Sequence, residues 1–386
     1  MENFIVGGLL AFAISFYAIP VIILVANQKK LYDLPGERKV HTTPIPSLGG
    51  LGIFIGFMMG LLLTLDINTV QGELQYYLAS FSVVFFFGIK DDILNLVPMK
   101  KLVGQLIVSA ILIFKAHLVI TNMNGFLGIT TIHPTISYLV TVMTIVVVMN
   151  AFNLIDGVDG LAGTLSVITS SVFAVFFFIK GDMFHALMGF ILSASIVAFL
   201  IYNYSPARIF MGDTGSMLIG VINSILVIRF VATFNTSTII PPLSAPAMGF
   251  GILLIPLLDT LRVFTIRIFQ GRSPFSPDRN HLHHLLLDRG FNHKNITVII
   301  SSAALVFIVA TYYTLQFGAT YVIMSQIGLF FLSVYLLNKS NLTKKKAIVV
   351  KGEGFEQRVT LRTKTASRFV TYIGNTIAVT EEEKQN

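Results

Sequence analysis

The sequence contains no cysteine and no tryptophan, and only 12% of its 386 residues are charged. The absence of cysteine excludes disulfides, thiol nucleophiles, iron–sulfur clusters and thiolate zinc sites, so any metal must be held by oxygen or nitrogen ligands. An average soluble domain carries about twice this proportion of charge. Together with 54% hydrophobic residues and a mean hydropathy of +0.78, the low charge predicts a membrane protein.

Long apolar runs dominate the chain. Runs of about 17 to 25 apolar residues can cross roughly 30 Å of hydrocarbon as helices. Eleven such runs predict an all-α integral membrane fold, at residues 4–26, 48–65, 74–90, 102–120, 133–151, 161–180, 183–203, 215–234, 247–269, 296–315 and 319–337. The first run follows no basic segment, so we expect it to be a retained span and not a signal peptide.

Basic residues predict the orientation. Lysine and arginine are concentrated in the loops after the odd-numbered spans, whereas the opposite loops hold only Lys115 and Lys180. Since Lys/Arg-rich loops stay in the cytosol, we expect the N-terminus outside and the C-terminus inside. We therefore expect a multi-pass protein of the cell inner (plasma) membrane.

The domain organisation follows from the same pattern. The spans form one transmembrane domain, 1–338, and a basic tail, 339–386, carries ten Lys/Arg residues against five Glu. Cationic tails are attracted to anionic lipid headgroups, so we expect a solvated or membrane-surface role for the tail. Its Val- and Thr-rich part, 347–379, predicts a small β unit.

Most acidic residues lie in or beside the predicted cytosolic loops. The opposite loops hold only Asp66, Glu73 and Asp182. The orientation rule is nearly indifferent to Asp, so topology does not explain this asymmetry. We favour a functional explanation, in which chemistry takes place at the cytosolic face.

The acidic pair Asp91–Asp92 ends the third span. Acids at a helix C-terminus oppose the macrodipole at a cost of about 0.3–1 kcal/mol each, so simple capping does not account for them. Neighbours on a helix point about 100° apart, and we therefore expect different roles for the two carboxylates. An exposed pair balanced by Lys90 is the alternative.

Polar residues recur at every third position around the end of the fifth span: Asn150, Asn153, Asp156 and Asp159. This spacing predicts one slowly drifting stripe at the cytosolic end of the helix. Hard cations such as Mg²⁺ prefer carboxylate and amide oxygens, so the stripe suits a metal with phosphates. Glycines in the same block allow close approach to a diphosphate, with tight helix packing as the alternative.

The sequence Gly212-Asp213-Thr214-Gly215-Ser216 leads into the eighth span. It places an acid and two hydroxyls at a helix N-terminus, where anions and Mg²⁺-phosphate assemblies are well held. The alternative for Asp213 is an ordinary helix N-cap.

The loop after the ninth span contains His281, His283 and His284. A zinc site would need a second cluster of ligands, which the other histidines do not form. We favour contact with a diphosphate or uridine over a structural metal or a solvated cluster. In the ninth span itself, Asp259 and Arg262 are spaced to pair, and both structural pairing and direct catalysis stay open.

Five blocks, in this order, resemble the polyprenyl-phosphate N-acetylhexosamine-1-phosphate transferase family. The family includes WecA/TagO-type GlcNAc-1-phosphate transferases and MraY phospho-MurNAc-pentapeptide transferases. The blocks lie within about residues 30–292 and comprise the loop Asp33 to Gly50, Asp91–Asp92, Asn150 to Gly163, Gly212 to Ser216 and His281 to His284. The pattern Asp278 to Leu285 resembles the GlcNAc branch, because the MurNAc-pentapeptide branch typically has three consecutive histidines.

The resemblance implies a reaction. UDP-GlcNAc and polyprenyl (undecaprenyl) phosphate would give polyprenyl diphosphate-GlcNAc and UMP, with Mg²⁺ or Mn²⁺ required, as a first membrane step of cell-surface glycan assembly. This is a phosphoryl transfer dominated by positioning and charge neutralisation. We favour direct in-line attack over an aspartyl-phosphate intermediate. No nucleic acid partner is expected, and a homodimer is one option for the assembly.

The resemblance also implies roles for individual residues. The expected metal ligands are Asn153 and Asp213. The expected catalytic residues are Asp91, Asp92, Asp156 and Asp159. The expected substrate-binding residues are Lys39, His41, Lys101, Asn150, Arg208, His281, His283 and His284.

Other classes fit the sequence less well. An ion-coupled secondary transporter would place charges near the bilayer midplane on interrupted helices, whereas the acids here cluster at one surface. A CDP-alcohol phosphotransferase would need several Asp on successive turns of one helix pair. Within the resembling family, the MraY branch or another UDP-amino-sugar donor is the alternative.

Overall fold

The computed structural model describes residues 2–33, 44–66, 72–234, 240–241, 243–274, 276 and 278–339, with the backbone of four strands in the tail. This part of the chain holds twelve α-helices. The first six are α1 (Glu2–Lys29), α2 (Gly49–Thr64), α3 (Leu74–Leu94), α4 (Pro98–Phe114), α5 (Pro134–Leu154) and α6 (Leu161–Lys180). The others are α7 (Met183–Asn203), α8 (Gly212–Thr233), α9 (Ala245–Phe269), α10 (Leu282–Leu287), α11 (His293–Thr314) and α12 (Ala319–Lys339).

The helices fit an integral membrane protein. Seven of the described helices, α1, α5, α6, α7, α8, α11 and α12, are long and apolar enough to cross a bilayer. The predicted all-α membrane class is therefore confirmed. The crossing of α2, α3, α4 and α9, and with it the count of eleven spans, stays a prediction, as does the orientation.

The fourth apolar run does not follow its predicted bounds. The expected run was 102–120, but α4 begins at Pro98, a position where proline is favourable because its missing N–H is not needed, and ends at Phe114. The chain then turns back against α5, where the hydroxyl of Ser137 donates to the carbonyl of Ile120 and the N–H of Ile120 donates to Thr141 at 2.9 Å. Apolarity alone does not distinguish this buried loop from a last helical turn.

Helix α8 lies at the centre of the bundle. It packs against α2, α3 and α5, and every residue from Thr214 to Ile228 is buried. The contact with α3 is close: a Cβ added to Gly88 would lie 2.5 Å from the Cα of Thr214. Only glycine lets the two backbones meet at this distance. Asp92, one helical turn after Gly88, is thereby brought beside the first turn of α8.

Short strands complete the described structure. Strand β1 (Tyr32–Asp33) pairs antiparallel with β2 (Ile45–Pro46) just before α2. After α12, two antiparallel hairpins are formed by β3 (Lys345–Gly352) with β4 (Phe355–Arg362), and by β5 (Arg368–Ile373) with β6 (Thr376–Glu381).

Candidate active site

A cavity of about 490 Å³ lies where the ends of α3, α5 and α7 meet the starts of α4, α8 and α11. The predicted site residues on its lining are Asp91, Asp92, Lys101, Asn153, Asp156, Asp159, Asp213 and His284. Residues separated by nearly two hundred positions in sequence thus share one polar space.

Lys101 connects two of the aspartates. Its Nζ lies 2.9 Å from Oδ2 of Asp213 and also forms an ion pair with Oδ2 of Asp91. Asp91 is only 3% exposed. Carboxylates held close together repel each other, and the ammonium between them offsets this repulsion. The same ammonium lies on the lining of the cavity.

Asp92 has a different role from its neighbour, since it caps α8. Its Oδ1 accepts the N–H of Asp213 at 2.6 Å, and its Oδ2 accepts the N–H and the hydroxyl of Thr214 at 3.1 and 2.6 Å. The helix has no local side-chain cap, since Met211 stands at the N-cap position. The alternative reading of Asp213 as the N-cap is therefore wrong. A carboxylate from α3 satisfies the free N–H groups, and Asp213 is left facing the cavity.

The stripe predicted for the end of α5 is interrupted. The helix ends at Leu154, so Asp156 and Asp159 lie in the turn before α6 and not on one helical face. Asn153 remains on the helix, where its amide contacts the carboxylate of Asp213 and lies 3.0 Å from Oγ of Ser216. The turn still brings both aspartates to the cavity.

The two aspartates of this turn have opposite electrostatic environments. Burial, and the negative charges of Asp213, Asp92 and Asp159, raise the pKa of Asp156 to about 7. Burial alone would also raise the pKa of Asp159. The hydrogen bond and charge of His293, whose Nδ1 lies 3.0 Å from Oδ1, outweigh burial and hold this pKa below its usual range.

Some predicted substrate residues do not line the cavity. Asn150 donates to Oε1 of Gln105 at 2.9 Å and to the carbonyl of Val146 at 2.7 Å, and Arg208 is exposed elsewhere. Lys39 and His41 lie outside the described residues.

The three histidines of the loop before α11 separate into different environments. Only His284 lines the cavity. His283 is buried against Gly157, where an added Cβ would collide with its ring. Burial, followed by the neighbouring His284, lowers the pKa of His283 to about 3, so its ring is neutral at pH 7. His281 is buried against Asp259, with Nδ1 lying 2.9 Å from Oδ2.

Sequence reasoning missed several residues of the cavity. His293 pairs with Asp159, and Asn203 accepts the N–H of Gly160 at 2.9 Å. Tyr32 and Phe210 also contribute to the lining. The sequence did contain a signal for His293. This residue lies just before the tenth apolar run, and the start of that run and Asp159 are both predicted at the cytosolic face.

The donor set of the cavity suits a hard divalent cation. Asp213 and Asn153 are in contact, and the neighbouring groups offer carboxylate, amide and hydroxyl oxygens. Within the described ranges, no group of three or more His, Asp or Glu side chains is arranged to hold a metal on its own. Mg²⁺ typically takes one or two protein carboxylates and completes its shell with water and substrate phosphates, so these residues fit it.

A carboxylate-lined cavity with a bridging lysine, in a bundle of long apolar helices, is the kind of site found in membrane enzymes that act on phosphorylated substrates. The model of the family described as Glycosyl transferase family 4 matches residues 74–231, which contain α3 to α7 and all but the last two residues of α8. The chain belongs to this family, among the polyprenyl-phosphate N-acetylglucosamine-1-phosphate transferases, and the resemblance found in its motifs is confirmed.

The relatives are similar over most of their length. An undecaprenyl-phosphate alpha-N-acetylglucosaminyl 1-phosphate transferase of Haemophilus influenzae is 33% identical over 83% of this chain and 90% of that protein. A decaprenyl-phosphate N-acetylglucosaminephosphotransferase of Mycobacterium leprae is 31% identical over 76% of this chain and 79% of that protein. A probable undecaprenyl-phosphate N-acetylglucosaminyl 1-phosphate transferase of Bacillus subtilis is 31% identical over 77% and 82%.

Proposed function

We propose that this enzyme transfers N-acetylglucosamine 1-phosphate from UDP-GlcNAc to a polyprenyl phosphate within the carboxylate-lined cavity, releasing UMP. The contact that carries the assignment to this cavity is the bridge from Lys101 to Asp91 and Asp213. It holds a cation where a lipid phosphate has to be neutralised. The names of the relatives, which act on decaprenyl or undecaprenyl phosphate, support the same reaction.

The transfer requires little help from a base. A phosphate monoester has a second pKa near 6, so the lipid phosphate is mostly dianionic at pH 7. One of its oxygens attacks the phosphorus that carries the sugar. The bond from this phosphorus to the bridging oxygen breaks, and UMP leaves with that oxygen. In-line attack by this oxygen needs no covalent aspartyl-phosphate.

Positioning is then the main task of the site. Lys101 exchanges its contacts with the carboxylates for contacts with the lipid phosphate. Asp92 holds the first turn of α8, so that Asp213 stays directed into the cavity. Asp159, fixed by His293, and Asp156 lie on the nucleotide side of the cavity in this proposal.

We propose Mg²⁺, with Mn²⁺ as a substitute, as the cofactor. Asp213 and Asn153 would hold it, since the amide of Asn153 lies against the carboxylate of Asp213 and both groups carry hard oxygens. The ion would neutralise charge on the diphosphate of the donor.

We also propose that the cavity faces the cytosol of a cell inner membrane. The support is the positive-inside rule: the helix ends and loops that flank the cavity contain Lys90, Lys100, Lys101 and Arg208, whereas the opposite loops are poor in Lys and Arg.

The reaction is tested by measuring UMP release from purified protein in detergent with Mg²⁺ and undecaprenyl phosphate. UDP-GlcNAc is compared with UDP-MurNAc-pentapeptide. We expect UMP only from UDP-GlcNAc, lost in Asp213→Ala and retained in Asp288→Ala, a matched control whose carboxylate is exposed. Release only from the peptide substrate would move the enzyme to the MurNAc branch, and release from neither would overturn the proposal.

A further inference from the structure

Charged side chains are buried at the end of α9 that leads into the histidine loop. Asp259 and Arg267 are each 1% exposed, and Arg262 is 8% exposed. Burial of a charge costs several kcal/mol unless it is paired and hydrogen-bonded. Their partners therefore show what the local structure is built to hold.

Asp259 holds the start of α10. Its Oδ2 lies 2.9 Å from Nδ1 of His281, and its Oδ1 accepts the N–H of Leu282 at 3.0 Å. Arg262 donates to the same Oδ1 at 2.8 Å and to the carbonyl of Asn280. One carboxylate and one guanidinium thus fix three consecutive residues, 280 to 282.

Arg267 holds the other side of the same segment. Its Nε donates to Oδ2 of Asp278 at 2.8 Å, and it also donates to the carbonyl of Pro274. One of its terminal nitrogens lies 3.5 Å from Nε2 of His281. A guanidinium has donors only, so Nε2 of His281 is the acceptor and the ring proton is on Nδ1, where it is donated to Asp259.

Both ring nitrogens of His281 are therefore used within the protein. His281 is 4% exposed and is not among the residues lining the cavity. This differs from the substrate contact expected for it from the sequence. His284, on the next turn, does line the cavity, and its Nδ1 has no hydrogen-bond partner among the described residues.

We propose that Asp259, Arg267 and His281 are positioning residues that hold α10 so that His284 faces the donor nucleotide sugar. The inference rests on the proposed function. Asp259 and Arg267 act through His281, and His281 acts through the placement of His284. The three residues touch neither the donor nor the lipid phosphate.

The first test is Asp259→Asn, which keeps the shape of the side chain but presents an amide N–H₂ to groups that already donate. We expect KM for UDP-GlcNAc to rise about tenfold or more, since small misplacements of a contact group are costly. KM for undecaprenyl phosphate should change less than about twofold. A purely structural loss would lower the active fraction, and hence apparent kcat, while both KM values stayed the same.

Asp288→Asn is the matched control, because it is the same substitution at the C-terminal end of α10, opposite the end that Asp259 holds. Asp288 pairs with Arg279 at 3.4 Å, and both side chains are about half exposed. Exposed pairs contribute little, so we expect each kinetic constant within about twofold of the wild-type value.

His281 provides a second, independent pair of variants. In His281→Asn an amide N–H can replace Nδ1–H as the donor to Asp259, whereas His281→Phe leaves the carboxylate without this donor. We expect partial rescue of KM for UDP-GlcNAc in the Asn variant. The double variant Asp259→Asn/His281→Phe should raise KM for UDP-GlcNAc no more than the poorer single variant does, because both changes remove the same contact between residues 259 and 281.

Two outcomes would overturn the proposal. One is that His281→Asn and His281→Phe lose kcat equally with KM unchanged, which would show that His281 does not act by placing a contact to the donor. The other is additive effects of the Asp259 and His281 changes, which would mean separate roles. Should Asp259→Asn fail to give monodisperse protein, the His281 pair decides alone. A wild-type enzyme that releases no UMP from UDP-GlcNAc would contradict the proposed function itself, before any variant is compared.

Discussion

The two ends of the helical bundle organise charge in opposite ways. At the end away from the cavity, Asp182 lies 2.8 Å from Nδ1 of His185 and 3.8 Å from Arg229, and Arg229 lies 3.5 Å from Glu73. Acids and bases alternate there. At the cavity, aspartates from three parts of the chain lie together, and Lys101 bridges only two of them, Asp91 and Asp213.

The difference indicates that the paired charges at the far end stabilise the fold, whereas the charges at the cavity serve chemistry. Alternating acids and bases satisfy each other and need no ligand. Crowded carboxylates repel one another, and a bound cation or a redistribution of Lys101 relieves this repulsion. An excess of negative charge in a half-buried cavity therefore indicates a site that binds a cation.

The comparison is tested most strongly by the same substitution at each end. We expect Asp213→Asn to lower kcat for UMP release by about 100-fold or more, because an electrostatic contact is lost where charge develops. Asp182→Asn should keep activity within about twofold and instead lower the thermal midpoint. The measurements are initial rates and thermal unfolding in detergent. A large loss of activity in Asp182→Asn would contradict the division.

Metal removal is expected to affect only the cavity end. Chelation with EDTA should abolish UMP release, and added Mg²⁺ should restore it. A ligand that binds the folded state raises its stability, so Mg²⁺ should also raise the thermal midpoint of the wild type. Asp213→Ala should lack this shift, whereas Asp182→Ala should keep it. An equal shift in both variants would place the cation elsewhere.

Asp92→Ala is expected to affect both properties, since this carboxylate caps α8 and positions Asp213. Loss of a helix cap typically costs about 0.5–2 kcal/mol of stability. We expect a loss of this size in denaturant unfolding, with a tenfold or greater fall in kcat, as roughly expected for a displaced catalytic group. Asp92→Asn keeps one acceptor and should be milder. Full activity in Asp92→Ala would show that Asp213 needs no such support.

The smallest effect is expected from pH, through the buried His283 near the cavity. His283 faces His284 with ring centroids 4.4 Å apart, whereas His185 bonds a carboxylate. The pKa of His283 is lowered to about 3 in the folded state, against about 6.5 for an unperturbed histidine. The unfolded chain therefore binds more protons between these values, and the stability contribution present above about pH 6.5 is lost as pH falls toward 3.

The corresponding measurement compares thermal midpoints of the wild type and His283→Gln from pH 7.5 to 5. We expect the wild-type midpoint to fall more steeply than that of the variant. His185→Gln is the control at the opposite end. Parallel curves for the wild type and His283→Gln would contradict the lowered pKa.

Much of the helical fold was predictable because most of the helices coincide with long apolar runs that are visible in the sequence. The motif residues also indicated the site, since Asp91, Asp156 and Asp213 recur at one predicted face and do share a cavity. The predicted end of the fourth run was wrong because Leu118, Val119 and Ile120 are apolar enough to extend a helix but belong to a loop that packs against α5.

The remaining features depend on contacts between distant parts of the chain. The capping of α8 by Asp92 joins positions more than a hundred residues apart, and no local pattern signals it. The pairing of His293 with Asp159 also joins positions more than a hundred residues apart, although both were predicted at one face. Residue types and spacing predicted which side chains carry chemistry. Only the packed structure separates those that face the cavity from those that hold them.

The close contact of Gly88 with Thr214 has a consequence for how freely this protein can be altered. The lipid-facing surface can exchange one apolar side chain for another, because hydrocarbon tails adapt to any shape. Position 88 has no such freedom, since even a methyl group would displace α3 from α8. The displacement would break the hydrogen bonds by which Asp92 caps α8. A redesign of the bundle therefore has to keep glycine at position 88, whereas the lipid-facing positions can be changed.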